Sequence, residues 1–180
     1  MRRLIFPVIG MALALAACKH EAAAPAATST PAAVPAPPPP VELVSVLNMN
    51  DPQAPTQLTK GFWGLENNAW RWTASKFAVT LRPPAGAAQN GARLEMKLTL
   101  PAGSLDTIGP MTLSASVGGV ALDPEKYTKT GDYIFKRDVP ASALSSDKVA
   151  IEFDTDKSRT PPGDRRELAL IVAKVGLVAK

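Results

Sequence analysis

The stretch Ala92-Arg93-Leu94-Glu95-Met96-Lys97-Leu98-Thr99-Leu100 decides the fold. Its apolar residues fall at even positions and its polar ones at odd positions, a period of two that sets one face of a β-strand on a core and the other in water. Working outward, Val149, Ile151 and Phe153 repeat the pattern, with Glu152 and Asp154 turned out. Leu168-Ala169-Leu170-Ile171-Val172-Ala173 is almost continuously apolar, as for a central strand covered on both sides. Eight strand-like runs emerge, at residues 43–47, 69–73, 77–82, 93–100, 111–117, 133–139, 149–154 and 168–178. Turn signals separate them: Arg82-Pro83-Pro84-Ala85-Gly86, Gln89-Asn90-Gly91, Gly118-Gly119, Thr130-Gly131-Asp132 and Pro161-Pro162-Gly163-Asp164. The expected fold is therefore all-β, an antiparallel, jelly-roll-like β-sandwich of about eight strands over residues 41–180. A single helical turn is expected near Ala141-Ser142-Ala143-Leu144, just after Pro140.

What precedes the domain reads as an address and a tether. Arg2 and Arg3 are followed by an apolar run from residue 4 to residue 17, too short for the roughly 20 residues of a membrane-spanning helix. Leu15-Ala16-Ala17-Cys18 matches the bacterial lipobox, in which small residues admit the peptidase and the thiol accepts a diacylglyceryl group. The expectation is a signal peptide at residues 1–17, lipidation at Cys18, and firm anchoring, since each buried methylene contributes about 0.8 kcal/mol. Lys19 follows the Cys where Asp often marks inner-membrane retention, which favours the outer membrane, with the domain in the periplasm or at the surface. Residues 21–40 hold 7 Pro and 8 Ala and lack the apolar bulk for a core. Residues 18–40 are thus expected to be a disordered, polyproline-like linker that reaches about 60 Å if fully extended, at about 3.1 Å per residue.

Composition narrows the chemistry. The 180 residues contain one Cys and one His, Cys18 and His20, so the domain has neither thiol nor imidazole. A zinc site of the usual kind is excluded there, and Asp154 with Asp156 lacks the loop spacing of a Ca²⁺ site; no metal and no cofactor are expected. The same two carboxylates stand beside Lys157 and Arg159 and read as a solvated turn rather than a glycosidase pair, so no enzyme is expected. Without Arg2 and Arg3 the formal charge falls from +4 to +2, and no basic cluster interleaves with aromatics, which removes nucleic acid as a partner.

Two constellations remain. Trp70 and Trp72, two apart on a strand, project from one face while Arg71 takes the other. They form either an indole platform for the apolar face of a sugar ring or part of the core. With Trp63, which is expected in a glycine-flanked loop and is the better exposed candidate, and with Glu66 and Arg71, they make the candidate ligand-binding set. Glu66, Asp164 and Arg166 make a candidate structural clamp, because the last two lead directly into the final strand.

At Gly61-Phe62-Trp63-Gly64-Leu65-Glu66 and Trp70-Arg71-Trp72-Thr73 the chain resembles a class of bacterial β-sandwich modules found beside envelope glycosyltransferases. Pro161-Pro162-Gly163-Asp164-Arg165-Arg166-Glu167-Leu168 resembles their closing segment, with Ala169 standing where the class usually shows Gly. The resemblance covers about residues 58–180 and implies the sandwich fold; it brings no ligand with it. The expectation is thus a membrane-anchored envelope lipoprotein with a binding domain, carbohydrate being the first candidate ligand. The alternative is a structural or adaptor lipoprotein that meets a protein partner and has no small-molecule site.

Overall fold

The computed structural model describes residues 42–180. The expected signal peptide, the expected lipidation site Cys18 and the expected linker to residue 40 lie outside the described residues. The described chain is an antiparallel β-sandwich of nine strands, in the order β1 (Val46–Asn48), β2 (Leu58–Glu66), β3 (Trp70–Leu81), β4 (Ala92–Leu100), β5 (Met111–Val117), β6 (Val120–Tyr127), β7 (Gly131–Val139), β8 (Val149–Thr155) and β9 (Ile171–Ala179). They form one continuous hydrogen-bonded path, β6-β5-β8-β3-β9-β4-β7, with β1 added to β9 and β2 to β3. The path folds on itself at β3. The C-terminal half of this strand pairs with β8 from Lys76 to Leu81, while Arg71 and Trp72 pair with β9. The two layers enclose a core whose largest fully buried side chains include Phe77, Leu81, Leu94, Met96, Leu113, Phe135 and Ile151.

The alternation read along residues 92–100 holds at every position: Ala92, Leu94, Met96, Leu98 and Leu100 are buried, and Arg93, Glu95, Lys97 and Thr99 are not. In other places the structure corrects the strand reading. Residues 69–73 and 77–82 are one strand, β3, with a bend between them where the pairing with β2 shifts register, from Phe62↔Thr73 to Lys60↔Ala78. Gly61 makes that bend possible. It has φ +69°, and a Cβ there would collide with the Lys76 carbonyl. β2 and β6 were not expected as strands, since Leu58–Glu66 and Val120–Tyr127 carry too few apolar residues in period two. β6 follows β5 through Gly118-Gly119, whose φ values of +55° and +82° fit a two-residue hairpin turn of the primed type.

The last strand begins at Ile171, not at residue 168. Leu168-Ala169-Leu170 is buried as an extended lead-in held by Arg159 on one side and Thr73 on the other. β9 itself is covered on one face, with Val172 and Val175 both inward because Ala173 is bulged out of the pairing with β4. A 3₁₀ turn occupies Ala141–Ala143 as expected, and three further single turns of helix were not foreseen, α1 (Ala54–Gln57), α2 (Ala87–Asn90) and α3 (Ser104–Ile108). No helix among the described residues is long and apolar enough to cross a membrane.

Candidate functional site

Two regions merit a functional reading, one expected from the sequence and one not. The expected region lies where β2, the first half of β3 and the loop before β9 meet. Thr73 is fully buried, so Trp72 and Trp70, one and three residues before it, take the opposite, outer face. Both are half-buried and outside the core cluster. Their rings stand edge to face, with centroids 6.2 Å apart and planes at 85°. The platform reading is therefore corrected: two perpendicular indoles offer no common plane for a sugar ring, and the edge-to-face contact is the arrangement their quadrupoles favour.

Trp63 is also corrected. It sits in β2 rather than in a loop and is half-buried. Its indole N–H donates to the Glu167 carbonyl at 2.8 Å. Because β2 pairs with one edge of β3 and the segment leading into β9 with the other, this bond carries the indole across β3. Arg71 spends its donors on main-chain carbonyls, those of Met49 at 3.3 Å and Trp63 at 3.2 Å, and so ties the turn after β1 to β2.

Arg166 lies between Asp164 and Glu66. Its Nε and Nη2 donate to the Asp164 carboxylate at 2.9–3.1 Å, and its Nη1 donates to Glu66 Oε1 at 2.8 Å. The Asp164 carboxylate also accepts the Arg166 main-chain N–H at 2.9 Å. These bonds favour the charged form and hold the Asp164 carboxyl down at about 2. Next in the chain, Glu167 accepts from Ser75 N–H at 3.3 Å and Ser158 Oγ at 2.7 Å, bonds that lower its pKa. Trp63, Glu66, Asp164, Arg166 and Glu167 thus form one bonded strap across β3. The structure brings the clamp residues together and commits Trp63 Nε1, Glu66 Oε1 and Arg71 Nε and Nη1 of the candidate ligand set to the chain itself.

The second region was missed by the sequence reading. On the outer face of β3, β8, β5 and β6, rimmed by β2, lies an open groove of about 400 Å³. Its floor is small or apolar, with Ala78, Ser114, Ser116 and Ala121, over the stacked Phe77 and Phe153 rings 4.8 Å apart beneath. Its walls carry Lys60, Lys76, Glu152 and Asp154. Lys76 and Asp154 pair at 2.9 Å, both well exposed, a contact that adds little to stability in water but raises the Lys76 pKa. Ser116 Oγ donates to Glu152 at 3.5 Å. The outward positions of β8 were legible from its alternation; the groove was not, because it depends on which strands are neighbours. Asp156, read with Asp154 as a turn pair, departs from it: its carboxylate accepts the Thr112 N–H at 2.7 Å and extends the β5–β8 seam. Among the described residues no group of three or more His, Cys, Asp or Glu could hold a metal ion.

No family model and no curated protein matches the chain. Among solved structures it is similar to a family GH115 4-O-methyl-alpha-glucuronidase with specificity for decorated arabinogalactans (TM-score 0.46, 12% identity, 78% of this chain and 18% of that one). It is similar also to a family 35 carbohydrate binding module from Clostridium thermocellum (TM-score 0.43, 14% identity, 74% of this chain and 98% of that one). A third is the CBM36-1 domain of a multidomain xylanase from the hindgut metagenome of Trinervitermes trinervoides (TM-score 0.35, 11% identity, 73% and 94%). The chain spans less than a fifth of the glucuronidase. With these TM-scores below 0.5, the functional reading rests on the domain's own geometry.

Proposed function

We propose that this domain is a glycan-binding module, held at a bacterial envelope by acylated Cys18 and lifted from the membrane by the Pro/Ala-rich segment. The observation that carries the reading is the groove on the β3–β8–β5–β6 face. An extended oligosaccharide needs an open trough with a shallow floor and hydrogen-bonding groups along its walls, and Ala78, Ala121, Ser114 and Ser116 provide the one while Lys60, Lys76, Glu152 and Asp154 provide the other. The role proposed is binding rather than catalysis. The proposed address is the outer membrane, with the domain in the periplasm or at the surface.

The adaptor reading calls for a contiguous apolar face. Of the exposed large apolar side chains, the β1–β9 register sets only Val44 and Val178 side by side, while Leu65, Val120 and Ile134 lie on β2, β6 and β7. Calorimetric titration with peptidoglycan fragments and outer-membrane oligosaccharides tests the proposal, with a Ser116→Trp variant that fills the floor. Saturable binding lost in the folded variant supports it; binding that survives in the variant, or no binding of any glycan, overturns it.

A further inference from the structure

The register of the sheet lays out the groove in rows. Lys60 on β2 pairs with Ala78 on β3, Ala78 with Glu152 on β8, Glu152 with Ser116 on β5, and Ser116 with Ala121 on β6. One row therefore runs at right angles to five strands. With neighbouring strands about 4.8 Å apart, the row is about 19 Å long, and the backbones of Lys60 and Glu152 stand about 10 Å apart with the Ala78 methyl between them. The row beside it holds Lys76, Asp154 and Ser114 in the same order.

The two rows differ in their charge balance. Lys76 and Asp154 neutralise each other at 2.9 Å. Among the described residues Lys60 and Glu152 take part in no ion pair, and the bond from Ser116 to Glu152 is long, at 3.5 Å. A neutral sugar chain lying over this row offers the ammonium and the carboxylate only hydroxyl contacts, weaker than the charge-assisted bonds of an ionised partner. A chain carrying one sign of charge would satisfy one group and be repelled by the other. Both are satisfied by a chain that presents an anionic group at Lys60 and a cationic one at Glu152.

We infer that the Lys60–Ala78–Glu152–Ser116 row selects a zwitterionic glycan, one carrying uronate-like and free amino groups on nearby sugars, laid across the strands. The inference rests on the glycan-binding reading and names the ligand class of that groove. Lys60 gives the ligand carboxylate a charge-assisted bond, Glu152 takes the ligand ammonium, and Ala78 leaves room for the ring between them.

The test uses the full chain in detergent and four oligosaccharides of equal length, followed by calorimetry. They are N-deacetylated hyaluronan, whose uronate and ammonium alternate; its N-acetylated parent, with the uronate alone; chitosan, with the ammonium alone; and neutral chitin. The zwitterion is expected to bind at least about tenfold tighter than the other three, a preference that shrinks as salt rises. Lys60→Glu and Glu152→Lys should each abolish the preference, and the double swap should restore it. Lys60→Met and Glu152→Gln, which only remove charge, check that a loss is not misfolding. Equal binding of all four would overturn the inference and leave the glycan reading standing. No binding of any would overturn both, and a preference untouched by either swap would place recognition elsewhere and overturn the inference.

Discussion

Arg166 holds Glu66 at 2.8 Å across β3, although the two lie 100 residues apart in the chain. The bond belongs to a strap in which Asp164 fixes the guanidinium from the other side and Trp63 reaches over to the Glu167 carbonyl. Such a network ties the β2–β3 hairpin to the start of β9, where the two layers of the sandwich exchange strands.

Because Glu66 and Arg166 share one bond network, their substitutions should not add. Glu66→Ala and Arg166→Ala are each expected to lower the melting temperature, and the double variant to fall by less than the sum. Thermal unfolding of the four proteins checks this; strict additivity would show that the pair is not coupled.

Acid should loosen the same strap. The Asp164 pKa is lowered from 3.8 to about 2 by its bonds to Arg166, so its contribution is complete above its unfolded value and is lost as pH falls through the folded one. Glu167, lowered by Ser75 and Ser158, acts in the same direction. An Asp164→Asn variant is expected to be less stable than the parent at neutral pH and to approach it between about pH 4 and pH 2, as read from stability measured across that range.

Gly61→Ala should be among the most damaging small substitutions. It combines a left-handed φ with a collision against the Lys76 carbonyl at the bend of β3. A loss of at least about 2 kcal/mol is expected in denaturant unfolding. Gly119→Ala, where nothing crowds the Cβ but φ is +82°, should cost only about 1 kcal/mol.

These contrasts mark what the sequence could and could not say. Period-two alternation in β4 and β8 was legible because each strand has one dry face, and it is enough to define the sandwich. β2 was not legible, since its half-buried residues follow no clean period and its shape is set by three register shifts against β3. The three Trp residues were visible, but their ring planes and the Trp63 bond to Glu167 depend on a partner 104 residues away. The groove was hidden for a similar reason: Ala78, Ser116 and Glu152 are unremarkable singly and gain meaning only when β3, β8 and β5 lie side by side.

Tyr127 offers a test of a different kind. Its hydroxyl is buried with no hydrogen-bond partner among the described residues, and burial, aided by Glu125, pushes its pKa well above the usual phenol range. Tyr127→Phe keeps the ring contact with Tyr133 and removes the orphan group, so it should leave stability unchanged or raise it by up to about 1 kcal/mol.

The groove is the central claim, and amide chemical-shift mapping of the ¹⁵N-labelled domain during titration with envelope oligosaccharides tests it most directly. Saturable shifts should centre on Lys60, Ala78, Ser116 and Glu152, the row that the sheet register aligns. Shifts centred on Trp63, Trp70 and Trp72, or none with any glycan, would contradict it.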